Sequence, residues 1–305
     1  MGYSRIVSLL SFSSGIRSGS LAGDLERTRE GIDASTVWGG IGCCAARLFS
    51  STDVNRLLQE AGVSSLLWEK EGVFYVPRPR VPFPDVGPEK RKEAKKWTWL
   101  PVETLRGYVN GVLPEGKPPD LFYEERLRSA AVDRATGCAV PYFRKRIVPH
   151  IGVRGVLAAD LPEDLRSLFK SAMRLLGDTG LGGERSHGWG RFEVSFIDGG
   201  QTPFGAVPPD KANGAMALGA FLPDKAESAL IGRCAREGKK PLGYEIQRMR
   251  GFTGEASDIS KPTVACLAAG SVFPFLPRGT AEDITPAFAD HSVIFNGRPP
   301  FLPVA

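Results

Sequence analysis

Cysteine is scarce in this chain and badly spaced. Cys43, Cys44, Cys138, Cys234 and Cys266 are odd in number, scattered, and contain no C-x-x-C pair. They predict neither a disulfide framework nor a structural zinc site; reduced thiols in a cytoplasmic protein fit the pattern. Long apolar runs are missing too, so no membrane span is expected. The N-terminal stretch MGYSRIVSLLSFSSGIRSG is a poor targeting signal, because Ser8 and Ser11 break its apolar run and no cleavage-like end follows. Ile6 stands where a myristoylation pattern needs Ser or Thr. Histidine is limited to His150, His187 and His291, which gives general acid–base chemistry few groups to use. His150 and His291 read as structural. Strong net charge is also lacking. A balance of +5 and a pI near 9.0 permit an acidic partner such as nucleic acid without demanding one.

What is present is length enough for two domains, at 305 residues, and basic residues gathered into clusters. Lys90, Arg91, Lys92, Lys95 and Lys96 form one; Arg144, Lys145 and Arg146 form another. Tyr3 to Phe12 reads as a strand. Asp33-Ala34-Ser35-Thr36 offers helix caps, and Val37, Ile41, Cys44, Ala45 and Leu48 make one helical face. A short helix over 53–61 and a strand in GVFYVPRP, stopped by Pro77 and Pro79, come next. The following segment is rich in Pro, Gly and Lys and too long for an ordinary connector, so it is predicted to project as an insertion. Residues 128–141 and 144–158 read as paired strands. Leu161 to Leu176 is predicted helical, with Asp160 and Glu163 as a capping box and Gly177 at its C-terminal end. Arg191 to Ile197 reads as the last strand of the half.

The order β, α, β, β, α, β is the split βαβ pattern of a ferredoxin-like fold. After a Gly/Pro-rich stretch, a strand over 215–222 and a helix over 225–236 are followed by strands near 242–250, 263–273 and 292–301. That succession suggests a second, worn copy whose second helix is not visible. The expected class is α+β: two tandem ferredoxin-like (RRM-like) domains with antiparallel sheets and a projecting, thumb-like insertion. The expected bounds are 1–199 for the first domain, with its insertion at about 82–127, a linker over 200–213, and 214–305 for the second.

The run GDTGLGGERSHGWGRFEV, from Gly177, carries the strongest signal. A dinucleotide-binding glycine turn needs a strand before it and a helix after it; here the order is reversed. A P-loop fails as well, because Gly183-Glu184 stands where Lys-Ser/Thr is required. What remains is a glycine loop leading into an edge strand. Its bare backbone lets a phosphodiester chain approach, and its N–H groups can form an anion nest. Arg185, His187 and Arg191 offer cations, and Trp189 a stacking face. A tight turn with solvated charges is the plain alternative.

The sequence LLGDTGLGGERSHGWGRFEV closely resembles the glycine loop of the RAMP superfamily of CRISPR RNA-binding proteins. Within it, the chain is similar to the family of fourth Csm subunits, which cap the crRNA 5′ handle in type III-A effector complexes. IDASTVWGGI, SSLLWEKEGVFYVPRP, KKWTWLPVETL, the VDRATGCA stretch, AGSVFPF and the terminal HSVIFNGRPPFLPV have counterparts in the same order. Ala34 departs from the usual Ser-Asp-Thr core at the first helix, and the loop is shared with type III-B and III-D capping subunits. The resemblance implies a non-catalytic RNA-binding subunit with neither metal nor other cofactor. Its implied partners are the crRNA handle, the large polymerase-domain subunit, a backbone RAMP subunit at the thumb and, indirectly, target RNA.

The RNA-binding residues expected from loop and resemblance are Gly180, Gly182, Gly183, Arg185, Ser186, His187 and Arg191. Asp33, Ser35 and Thr36 at the first helix start join them, with simple capping as the alternative. Arg128, Arg134, Arg144 and Arg146 around the VDRATG hairpin, and Arg248 and Arg250 in the second half, complete the set; a solvated basic sheet face is the alternative for the hairpin. Lys95, Lys96, Trp97 and Trp99 are the thumb candidates, since interleaved cations and aromatics suit single-stranded nucleic acid. A solvated helix with Glu89 and Glu93 paired to lysines competes with that reading. The rival function is a metal-independent crRNA-processing endoribonuclease with His187 as general acid–base.

Overall fold

The computed structural model describes residues 3–19, 25–82, 87–205, 214–253, 259–289 and 291–304, so most of the expected linker lies outside the described residues. Strand β1 (Tyr3–Phe12) forms where the sequence predicts it. Its residues 5–10 are all buried, the signature of a strand covered on both faces. Helix α1 (Ala34–Leu48) buries Ala34, Val37, Trp38, Ile41, Cys44 and Ala45 along one stripe. Helix α2 (Ser51–Glu60) starts at Ser50, whose hydroxyl accepts from the Asp53 N–H. Short strands β2 (Gly62–Val63), β3 (Leu67–Lys70) and β4 (Val73–Pro77) follow, then α3 (Pro88–Lys96), β5 (Trp99–Pro101) and α4 (Leu105–Val109).

Strands β6 (Phe122–Val132) and β7 (Ala139–Pro149) pair only with each other as a long ribbon, and β8 (Val153–Pro162) returns to the main sheet. The sequence pattern merges β7 with β8; in the fold a turn at His150-Ile151-Gly152 separates them. Helix α5 (Arg166–Thr179) and β9 (Phe192–Asp198) complete this half.

The main sheet runs β5-β4-β3-β8-β1-β9, with β2 also on β8, and every pairing is antiparallel. Its β3-β8-β1-β9 core, with α1 after β1 and α5 after β8, has the split βαβ order. The two helices pack closely: a Cβ on Gly40 of α1 would lie 2.9 Å from the Leu176 side chain of α5.

After residue 213 come β10 (Ala215–Ala217), α6 (Lys225–Arg236), β11 (Ile246–Met249), β12 (Val264–Leu267), β13 (Val272–Phe273), β14 (Ala281–Asp283), β15 (Ile294–Asn296) and β16 (Phe301–Pro303). The strands expected over 263–273 and 292–301 each divide in two. They form a β13-β10-β16 sheet and two ribbons, β11-β12 and β14-β15. Helix α6 has a complete capping box, Asp224 with Glu227. Met216, Leu218, Val272, Leu302 and Val304 join the same hydrophobic core as the main sheet.

A buried arginine ties these parts together. Arg5 on β1 is 7% exposed. Its Nε and Nη2 donate to the two carboxylate oxygens of Asp160, its register partner on β8, at 2.6 and 2.7 Å. Its Nη1 donates to the carbonyls of Phe204 and, on β16, Phe301, both at 2.9 Å. Asp160 is therefore not the cap of α5: it is engaged across the sheet, and α5 begins after a 3-10 turn at Glu163–Leu165. Removing the partner of a buried charge leaves it uncompensated, so Asp160→Asn is expected to cost about 3–5 kcal/mol, and Arg5→Ala less, because the Asp160 carboxylate is one third exposed. Urea unfolding of the two variants against wild type measures it.

Candidate nucleic-acid interface

The glycine loop spans the chain between α5 and β9. Gly182 has φ +97°, and a Cβ there would collide with the Arg17 carbonyl oxygen. Gly190 has φ +73°, and a Cβ on it would run into the Leu181 carbonyl oxygen. Both glycines are thus required by the protein's own backbone, whatever binds outside. The expected anion nest is partly occupied. The N–H groups of Gly180, Leu181, Gly183, His187, Gly188 and Gly190 donate to the carbonyls of Leu176, Gly190, Arg17, Glu184, Arg185 and Gly15. Those N–H groups are not available to a ligand.

Basic side chains are arranged around Glu184. Its carboxylate lies 2.8 Å from Arg144 Nη1 and 3.3 Å from His187 Nδ1. Trp189 is buried, so it offers no stacking face. Its ring lies 5.1 Å from the guanidinium carbons of both Arg144 and Arg146, a cation–π support beneath the two arginines. Ser186 and Arg191 are exposed, and the His187 side chain is about half exposed.

At the start of α1 the Asp33 side chain makes no capping bond. The Ala34 N–H donates to Ser65 Oγ instead, and Asp33 pairs with Arg29 at 2.8 Å. Burial pushes the Asp33 carboxyl above its ordinary range, against the opposing pull of Arg29. Ser35 and Thr36, in the first turn of the helix, line a cleft of about 720 Å³ together with Gly180, Gly182, Arg185 and Arg250. Trp38, Lys261 and His291 share its walls. Burial lowers the Lys261 ammonium from its ordinary value. Sequence reasoning assigns His291 a structural place and does not single out Lys261. No local pattern marks either, because the cleft joins α1 to the second half of the chain. Gly183, Ser186, His187, Arg191 and Arg248 are not among the lining residues, and neither is Asp33.

The hairpin arginines sit on the β6–β7 ribbon. Arg128 and Arg134 are exposed, as is every residue from 130 to 141. Arg144, Lys145 and Arg146 are each paired with a carboxylate: Glu184 at 2.8 Å, Glu124 at 2.7 Å and Glu125 at 2.6 Å. Arg126 pairs with Glu26 and covers the Phe143 ring. The basic cluster in the sequence is therefore largely neutralised within the fold. On β11 and just after it, Arg248 and Arg250 are both exposed.

The thumb candidates behave differently from expectation. Trp97 is 6% and Trp99 8% exposed. Trp97 packs with Leu100 and Tyr108 in a small core. Trp99 extends the main sheet through β5, stacks edge-on against Trp68, and donates from Nε1 to Glu30. Neither ring can stack on a base, because each is used to dock the insertion. Lys95 and Lys96 are exposed. Among the described residues the ribbon β6–β7 is the long exposed hairpin.

Residues 210–304 match the family model of the CRISPR Csm4 C-terminal domain. That stretch is similar to the C-terminal domain of Csm4. The whole chain has the fold found in a crystal structure of a Csm1–Csm4 cassette in complex with cA4, at 17% identity and a TM-score of 0.63, covering 99% of this chain and 98% of that one. A crystal structure of a Csm3–Csm4 subcomplex in the type III-A CRISPR-Cas interference complex gives 15% identity and a TM-score of 0.63, with 98% and 99% covered. At such identities the likeness to solved structures is one of fold. No curated protein sequence matches. Among the described residues no helix is long and apolar enough to cross a membrane, and no cluster of His, Cys, Asp or Glu is arranged to hold a metal ion. All five cysteines are free.

Trp99→Ala is expected to lower stability by about 3–5 kcal/mol in urea unfolding, as for any large buried aromatic. For Asp33, a raised carboxyl means that stability is highest below the ordinary carboxylate range and is lost as pH rises through the folded value. Asp33→Asn is therefore expected to melt above wild type at neutral pH, with the difference vanishing in thermal melts below about pH 4.

Proposed function

We propose that the chain is a non-catalytic RNA-binding subunit of a type III CRISPR ribonucleoprotein in the cytoplasm. In this reading it caps the crRNA 5′ handle and docks the large polymerase-domain subunit in antiviral defence. One observation carries it: Ser35, Thr36, Gly180, Gly182, Arg185 and Arg250, far apart in sequence, line one cleft. A helix N-terminus, a glycine loop and two arginines on common walls suit a phosphodiester backbone. The assemblies named for the structural neighbours, Csm1–Csm4 and Csm3–Csm4, support the docking part. We carry a large-subunit contact and a backbone RAMP contact to this chain on that basis. The exposed β6–β7 ribbon, rather than the insertion around Trp97 and Trp99, suits the thumb role toward the backbone subunit and target RNA. We read residues 1–199 and 214–305 as two tandem ferredoxin-like domains, the second worn.

A second reading keeps one supporting observation. His187 Nδ1 lies 3.3 Å from the Glu184 carboxylate, the arrangement of a base held by an acid. That geometry is what a metal-independent endoribonuclease would use. Binding assays in EDTA with end-labelled crRNA, carrying either the native or a scrambled handle, separate the two. Tight, handle-dependent binding by wild type, weaker binding by His187→Ala, and RNA left intact by both is the expected result. Cleavage that disappears in His187→Ala would make the loop an active site instead.

A further inference from the structure

Glu184 has φ +62°, a left-handed conformation shared by only one other described non-glycine residue, Glu71. It places a carboxylate inside the loop proposed to face a polyanion, where it would repel RNA if it stayed. The carboxylate is largely enclosed, its side chain 19% exposed. Two basic groups from different elements converge on it: Arg144 of β7 at 2.8 Å and His187 of the 3-10 turn at 3.3 Å.

The arginine is firmly seated. The Trp189 ring lies 5.1 Å and the Tyr142 ring 6.0 Å from its guanidinium carbon. Its buried Nε has no hydrogen-bond partner among the described residues, and its ionic contact is that from Nη1 to Glu184. A guanidinium fork accepts a carboxylate and a phosphate with the same planar, two-oxygen geometry. Arg144 of the ribbon and His187 of the loop thus meet one anionic group already, the Glu184 carboxylate.

Building on the RNA-binding role proposed for the chain, we propose that Arg144 and His187 form a binding site for one RNA phosphodiester. The Glu184 carboxylate occupies that site in the free protein, and the phosphate displaces it on binding. The carboxylate keeps Arg144 from being an uncompensated buried cation before RNA arrives. It also sets a threshold. Only a chain that delivers a phosphate to that point, while its other contacts are made, recovers the cost of displacement.

The test compares wild type, Glu184→Gln and Glu184→Gln/Arg144→Gln for binding of end-labelled crRNA with its native handle, together with thermal melts with and without that RNA. Glu184→Gln keeps the shape and removes the charge. It is expected to melt lower than wild type without RNA, to bind RNA about tenfold tighter, and to show a larger RNA-induced rise in melting temperature. The double variant is expected to lose the gain in affinity. If wild type binds and Glu184→Gln binds equally or more weakly, Glu184 merely braces the loop and the proposal fails while the RNA-binding role stands. A wild type that binds no RNA overturns both. Should Glu184→Gln not fold, Arg144→Lys decides: the charge stays and the fork is lost, so about fivefold weaker binding supports the proposal and unchanged binding overturns it.

Discussion

The buried guanidinium of Arg5 is the contact on which the arrangement of this molecule depends. Its four donor contacts reach three separate parts of the chain: Asp160 on β8, the Phe204 carbonyl after β9, and the Phe301 carbonyl on β16. Desolvating a guanidinium costs several kcal/mol, and the cost is offset only if every contact is made together. One side chain therefore fixes where the main sheet ends and where the C-terminal strand lies against it. Other bonds follow the same seam. The Ser65 N–H donates to the Leu218 carbonyl at 2.9 Å, Arg298 Nη1 to the Gln59 carbonyl at 2.8 Å, and Asn296 Nδ2 to the carbonyls of Leu58 and Ala61. The cleft walls, with Ser35 and Thr36 on one half and Arg250 and Lys261 on the other, stand where this seam puts them.

Local signals in the sequence are legible wherever the cause is local. Tyr3–Phe12 forms a strand and Ala34–Leu48 a helix because their own apolar spacing suffices. Signals fail where a distant residue takes over. Asp160 and Glu163 have the spacing of a capping box, but Arg5, 155 residues away, holds Asp160, while Glu163 accepts from Ser4 and Arg166. Trp97 and Trp99 have the composition of a nucleic-acid arm, yet they find an apolar core nearer at hand. The glycine loop lies where its sequence places it, between helix and edge strand, but part of its glycine content answers to Arg17 and Leu181 within the fold. No single-sequence pattern encodes such close approaches.

Charge shows the same limit more sharply. Arg144, Lys145 and Arg146 read as a cationic run, and in the fold two of them face carboxylates across one ribbon. Lys145 meets Glu124, and Arg146 meets its register partner Glu125. Cross-strand pairing cannot be inferred until the register is known, because a shift of one residue turns every side chain to the other face. With a net charge of only +5, long-range attraction to any polyanion is modest and screened within about 8 Å at physiological salt. Short-range geometry has to supply the selectivity.

That geometry is shared between the two halves of the chain, which couples recognition to the joint between them. A ligand lying in the cleft touches α1 and the glycine loop on one side and the β11–β12 region on the other. It therefore binds best when the seam around Arg5 is intact. By linkage it must also stabilise that seam by as much as the seam improves its own affinity. A partner protein that grips both halves would act in the same direction, favouring any ligand of the cleft without touching it. The coupling is reciprocal: a buried charge network outside the loop sets how well the loop and the opposite wall can hold such a ligand between them.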